Sequence, residues 1–275
     1  RNSKAEPENI SWRSFQLAFI VSILPDILTR EQNNSEELTR TMPATVLWLP
    51  TGAGKTEAFT GVILVQAFYD RIRGKDGGVS AVLKFPLRFL SMQQLERAVM
   101  AATAANKVLI SRKGDIDASR RKRGLQRHEY DQFSVGYFVG SGGRPNDPNK
   151  VLDSGLSAIE EIRAGMKSAD RFKFISVCPD CQIEGRGTNS IELKGDTNRN
   201  RIYHICKKCG REVPLYITDV EVFARLPTMV ISTIDKWATI STIPESKTIF
   251  GIVRSRCPTH GYSCFDDKCM FLPRD

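Results

Sequence analysis

Apolar and polar positions along the chain change rhythm at a few fixed points. The opening block, SWRSFQLAFIVSILPDIL, is apolar enough for a buried helix broken near Pro25, and the polar run TREQNNSEELTRTMP after it reads as a loop. From Thr45 a short β-type run, VLWL, meets a glycine-rich turn and then a long helical segment from Lys55 to about Arg73. The unit repeats. KDGGVS is a turn, AVLKF a short buried strand, and SMQQLERAVMAATAA a helix made of good helix formers. A basic stretch to His128, a strand FSVGYFV, a turn GSGGRPNDPN and a helical LSAIEEIRAGMK follow. After the cysteine pairs, PTMVIST is again β-type and leads into IDKWATI. Strands alternating with helices predict an α/β fold with a mostly parallel sheet covered on both faces. No internal repeat or low-complexity tract interrupts the pattern.

The turn between VLWL and the helix carries chemistry. Gly52 and Gly54 let the backbone bend so that consecutive N–H groups, including that of Ala53, point at phosphate oxygens at a helix N-terminus. Lys55 supplies a point charge to β- and γ-phosphates, and the Thr56 hydroxyl can ligate Mg²⁺. Thr51 and Glu57 flank this group and complete the nucleotide-binding set. Leu49 stands where the general phosphate-loop pattern has its first glycine.

The cysteines supply a second chemistry. Cys178 and Cys181, then Cys206 and Cys209, form C-x₂-C…C-x₂-C, two knuckles able to present four thiolates to one tetrahedral Zn²⁺. Strand-like SIEL and IYHI between them predict a zinc ribbon, and His204 is surplus to a four-ligand set. Cys257, His260, Cys264 and Cys269 form a second candidate set that accounts for every remaining cysteine, with a metal-free loop as the alternative. Closed four-ligand sites leave no position for water, so both are expected to be structural.

The chain has 275 residues, enough for one large α/β domain with insertions or two small domains. Its 40 Lys and Arg exceed its 31 Asp and Glu, a net charge of +9 that favours a polyanionic partner without excluding an ordinary soluble protein. Lys194, Arg199, Arg201, Lys207, Lys208 and Arg211 on the predicted ribbon, and the run SRRKRGLQRH at 119–128, are the candidate phosphate contacts; a solvated face is the other reading of both. The longest apolar run, Phe15 to Leu28, is too short and interrupted to span a bilayer, so no membrane partner is expected and a cytoplasmic protein is the default. A chain opening on Arg1 and stopping after a cysteine cluster reads as a piece of a longer polypeptide.

The Pro-Thr-Gly-x-Gly-Lys-Thr loop resembles that of superfamily 2 helicases, and other segments extend the likeness from about Trp12 to Trp237. FPLRFLSMQQLERA resembles the motif that touches the nucleic-acid backbone, with Arg88 at its basic position. FVGSGG resembles the double-glycine motif, with Gly142 and Gly143 at the turn. VISTIDKW resembles the Thr-Pro-x-Arg motif, with Thr233 and Lys236 on the Thr and Arg places and Ile234 replacing the proline. Phe15 and Gln16 lie where these helicases carry an aromatic and a glutamine that read adenine; core packing with a surface amide is the alternative.

More narrowly, WRSFQLAFI, LWLPTGAGKTEAF, LKFPLRFLSMQQLERA and VISTIDKW resemble the helicase subunit of the DISARM anti-phage defence system. The resemblance implies a bacterial, cytoplasmic, ATP-dependent protein that binds or remodels nucleic acid, DNA by preference and through its backbone. A second large, DrmB-like subunit is its implied partner. The implied architecture is a RecA-like phosphate-loop domain: an N-terminal helical segment at 1–44, the first part of the domain at 45–170, an inserted zinc ribbon at 171–211, the rest of the domain at 212–250, and a second small zinc cluster at 251–275. Missing is a DExH or DExD segment to hold Mg²⁺ and orient water. CFDDKC sits among cysteines rather than after an apolar strand, so these residues alone are expected to bind ATP and hydrolyse it poorly, with the carboxylate expected after Asp275. Two rival classes stay open: a zinc-dependent nucleic-acid-binding or scaffold subunit whose nucleotide loop does not hydrolyse, and an ATPase acting on protein.

Overall fold

A computed structural model describes residues 11–29, 44–48, 50, 52–125, 130–140, 146–187, 189–266 and 269. The chain divides into two compact units, Arg1–Gln66 and Ala67–Asp275, with the boundary inside the helix Lys55–Arg73.

In the first unit the helix Ser14–Thr29 runs through Pro25 instead of breaking there. Proline removes one bond to the carbonyl four residues back. That carbonyl belongs to Val21, which is 61% exposed, so water can satisfy it. The helix is also not buried as its apolar density predicts: Leu17, Val21 and Leu28 are exposed, while Gln16 and Ile27 are buried. Over the described part of VLWL, residues 46–48, the expected strand is not formed. Residues 44–48 have no regular structure, and Val46 and Trp48 are 82% and 91% exposed. Apolar alternation marks which faces could be covered, but a strand exists only where its backbone finds a ladder.

The second unit holds a four-stranded parallel sheet of order β1-β6-β2-β5: β1 (Ala81–Phe85), β2 (Val135–Phe138), β5 (Leu215–Tyr216) and β6 (Met229–Thr233). The two central strands, β2 and β6, are buried along their whole length, which is why FSVGYFV and PTMVIST read as continuous apolar runs. The helix Arg88–Ser111 buries Leu95, Ala98, Val99, Ala102, Ala105 and Leu109, a helical stripe facing the sheet. Its Asn106 exchanges two hydrogen bonds with the backbone of Phe133 (2.7 and 2.9 Å) and pins the entry to β2. Gly136 on β2 has no room for a side chain, because a Cβ there would meet Pro227 Cγ at 2.5 Å and Val222 Cγ2 at 3.0 Å.

The ribbon strands β3 (Ile191–Asp196) and β4 (Arg201–Cys206) pair antiparallel, and a small hairpin joins β7 (Ser255–Cys257) to β8 (Gly261–Ser263). One buried carboxylate ties ribbon to sheet. Glu221, on the helix Asp219–Arg225, completes a capping box with Thr218 and accepts further N–H bonds from Ile217 (3.2 Å) and from Ile202 of β4 (3.1 Å). Burial is the largest influence on this carboxyl and pushes its pKa up, against Arg201 and the N–H donors. No helix among the described residues is long and apolar enough to cross a membrane.

Glu221→Ala orphans the buried N–H groups of Ile202 and Ile217 and removes half a capping box. It should lower unfolding free energy by about 2–4 kcal/mol in a denaturant titration.

Candidate nucleotide loop and metal centres

The glycine turn leads directly into the helix at Lys55, with φ of +81° at Gly52 and +94° at Gly54. Both values lie in the left-handed region that glycine alone enters freely. The turn is held from the first helix by two side chains. Gln16 Nε2 donates to Gly54 O (2.9 Å) while its Oε1 accepts from Arg13 N (2.8 Å), and Arg13 Nη1 donates to Ala53 O (2.8 Å). A Cβ at Gly54 would lie 2.6 Å from Gln16 Nε2. The Gln16 amide is therefore engaged by the loop backbone on its Nε2 side and by the start of its own helix on its Oε1 side, at the position where the sequence suggests an adenine reader. Phe15 beside it is half-buried. Lys55 Nζ donates to Pro50 O (3.2 Å), Thr56 is half-buried and Glu57 exposed; Thr51 lies outside the described residues.

In the second unit, Phe85 of β1 and Thr233 of β6 are in register, so Arg88 and Thr233 leave the sheet at the same edge. Arg88 opens its helix and has neither ion pair nor side-chain hydrogen bond among the described residues; Leu87 and Phe89 on either side are 63% and 68% exposed. Thr233 caps the helix Ile234–Ala238, its Oγ1 accepting from Lys236 N. Lys236 turns inward. Its Nζ pairs with Asp219 Oδ2 at 2.6 Å and lies over the Phe138 ring, with both side chains nearly buried, so its charge is neutralised inside the fold rather than offered to a phosphate. Gly142 and Gly143 fall outside the described residues.

The first cysteine set converges. Cys178 precedes the short helix Pro179–Ile183, Cys206 ends β4, and all four Sγ atoms lie within 4.8 Å of one another. Cys178 to Cys209 is 3.7 Å and Cys181 to Cys206 is 3.8 Å. A tetrahedral Zn²⁺ with Zn–S of ~2.3 Å requires sulfurs about 3.8 Å apart, so the set fits the ion. Burial pushes the Cys178 thiol up to about 12. Burial also raises Cys206, but the Ser190 hydroxyl and the N–H groups of Cys209 and Lys208 outweigh it and bring that thiol down to about 6. His204 is not a ligand: buried and held near 4 by desolvation, its Nε2 accepts from Phe174 N.

The second set converges as three. Cys257 and Cys269 Sγ lie 3.4 and 3.1 Å from His260 Nδ1, while His260 Nε2 is 2.7 Å from Asn198 O. A carbonyl on Nε2 fixes the proton there and leaves the Nδ1 lone pair for a metal, the usual arrangement behind a ligating histidine. Cys264, counted with this set from its spacing, is buried elsewhere with Sγ 3.4 Å from Pro244 O. Burial raises the Cys257 thiol, but the N–H groups of His260 and Thr259 and the His260 ring prevail and lower it to about 7.

Several candidate basic contacts are already paired. Arg201 is sandwiched between the rings of Tyr203 and Tyr216 and bonded to Glu212; Lys194 and Lys207 face Glu192; Arg211 binds Asp180 and Glu184. In the basic run, Arg120 is buried against Asp76. Sequence reading missed Arg13, Asn198 and Asp219. Only the helix of Asp219 left a signal, the Thr218-x-x-Glu221 capping spacing.

No family model matches the chain. It resembles the DISARM protein DrmA of Bacillus paralicheniformis, with 28% identity over 287 aligned residues that cover 95% of this chain. The chain spans 23% of that protein's length.

Serine substitutions separate the metal centres. Cys181→Ser and Cys257→Ser should each remove about one zinc per chain in metal analysis of the purified protein. Cys264→Ser should leave the zinc content unchanged; a loss there would return Cys264 to the ligand set.

Proposed function

We propose that this chain is the nucleotide-gripping, backbone-contacting part of an ATP-dependent superfamily 2 helicase or translocase that acts on DNA in bacterial anti-phage defence, in the cytoplasm. The observation that carries the reading is the Gly52–Gly54 turn, left-handed at both glycines and opening a long helix at Lys55. The similarity to DISARM protein DrmA supports the defence setting and, with it, a second large subunit of that system as partner.

In this reading the backbone N–H groups of the turn face the phosphates and Lys55 leaves the Pro50 carbonyl to reach them. Gln16 and Arg13 hold the turn in the gripping shape. Thr56 would be this chain's ligand to Mg²⁺ bound with ATP, and the ion would supply charge neutralisation to the phosphates. Hydrolysis also needs a carboxylate to position the metal and water, and no residue described above supplies one. Arg88 and Thr233 mark the end of the sheet that one strand's backbone would cross, with Gly142 and Gly143 as further candidates from the sequence, which gives weak base preference and strong salt dependence. The RecA-like assignment of this α/β body, interrupted by the ribbon, belongs to the same proposal. A zinc ion in the first set, closed by four thiolates, would be structural; the second set brings three ligands together among the described residues, and a structural role there draws on its place on the short β7–β8 hairpin.

A second reading, a zinc-dependent scaffold with a non-hydrolysing loop, draws on the Lys55 amine resting on Pro50 O. Steady-state ATPase of the full-length polypeptide with and without single-stranded DNA, beside Lys55→Ala, separates the two. The motor reading expects DNA-stimulated turnover that falls by about 100-fold or more in the variant. Equal, unstimulated rates in both proteins would leave only the scaffold.

A further inference from the structure

A cavity of about 300 Å³ lies at the opposite end of the sheet from Arg88 and Thr233. Gly78, Ser134, Pro214 and Thr228, which line it, stand just before β1, β2, β5 and β6. Its volume is at the small end of the range for small-molecule sites. It shares no residue with the glycine turn.

Three arginines are among the residues around this one cavity, Arg71, Arg225 and Arg256, together with Tyr216 and Tyr262. Arg71 is completely buried. Its Nε and Nη1 donate to the carbonyls of Asp131 (3.1 Å) and Lys75 (3.0 Å), while Nη2 is sealed from solvent without a hydrogen-bond partner among the described residues. Arg225 is anchored to Thr259 O (2.7 Å), and Arg256 stacks on Tyr262 with no ion pair among the described residues. Two carboxylates share the lining: Glu212 is already engaged by Arg201, and Asp131 acts on Arg71 and Tyr262 and offsets the buried Arg71 charge, which leaves Arg225 and Arg256 as the cationic excess. The wall is thus an excess of cationic, donor-rich groups around a small space, the inverse of what an apolar ligand or a cation requires.

We propose that this cavity binds a phosphate monoester dianion, carried by a small molecule or by the 5′ end of a strand. Arg225, Arg256 and the two phenols are its donors, and Arg71 is the buried charge beneath. Planar guanidinium forks match phosphate oxygens in pairs, and a dianion with three terminal oxygens uses this many donors where a carboxylate does not. Arg256 and Tyr262 ride on the β7–β8 hairpin, whose Cys257 and His260 belong to the second metal set.

Calorimetric titration of the full chain carrying Lys55→Ala, which disables the glycine turn, tests this site apart from the proposed ATPase. The probes are inorganic phosphate, a nucleoside monophosphate, and one oligonucleotide with either a 5′-phosphate or a 5′-hydroxyl. Saturable binding of a phosphate ester is expected, weakened about 10- to 100-fold by Arg256→Gln, a substitution at an exposed position. Tyr262→Phe should weaken it less, by removal of one donor. Preference for the 5′-phosphorylated strand over both the hydroxyl strand and the monophosphate assigns the strand end; binding of the monophosphate alone assigns a small molecule. No saturable binding by any probe, equal binding of the two oligonucleotides with none of the small phosphates, or affinity unchanged by Arg256→Gln would overturn the proposal.

Discussion

The buried Glu221 carboxylate is the junction on which the second unit depends. A side chain removed from water must have its lone pairs filled, and here they are filled from three places at once: its own helix cap, the exit of β5 and the ribbon strand β4. Arg201, one residue before the Ile202 donor, brings a guanidinium held between two tyrosine rings. The β3–β4 hairpin is therefore tied to the helix Asp219–Arg225 by a buried polar contact.

The metal sets extend the same logic to parts with little apolar core. The first set closes the ribbon at its base, where Ile191 pairs with Cys206, while the turn at the other end reaches His260 through the Asn198 carbonyl. Two short hairpins with little apolar core are thus joined to convergent cysteine sets that could hold zinc, and to each other. The inward Lys236–Asp219 pair likewise joins two short helices, Asp219–Arg225 and Ile234–Ala238, through a nearly buried ion pair.

What was legible in the sequence follows from how strongly each segment is constrained. FSVGYFV and PTMVIST announced themselves because β2 and β6 are the buried inner strands of the parallel sheet; AVLKF is a strand as expected but not a buried one, since β1 is an outer strand, half-buried with Lys84 exposed; and the cysteine spacing announced four convergent thiols. The two-residue β5 left no period to detect. VLWL had strand composition without a partner, and Pro25 fell where a missing N–H is tolerated, so local pattern misled in both cases. At the candidate sites, residue type was readable but direction was not. Cys264 and Lys236 carry the expected chemistry and point it elsewhere, and no spacing rule encodes the Asn198 carbonyl or the Arg13 fork that complete their neighbours.

The hydrogen bond from Gln16 to Gly54 joins positions 38 residues apart. The same amide also accepts from Arg13 N at the start of the helix Ser14–Thr29, so one side chain serves both the helix start and the glycine turn. A peptide flip at Gly54 would take away the carbonyl that Gln16 binds and leave its amide nitrogen to find another acceptor, which makes the shape of a two-glycine loop depend on a residue far from it in sequence.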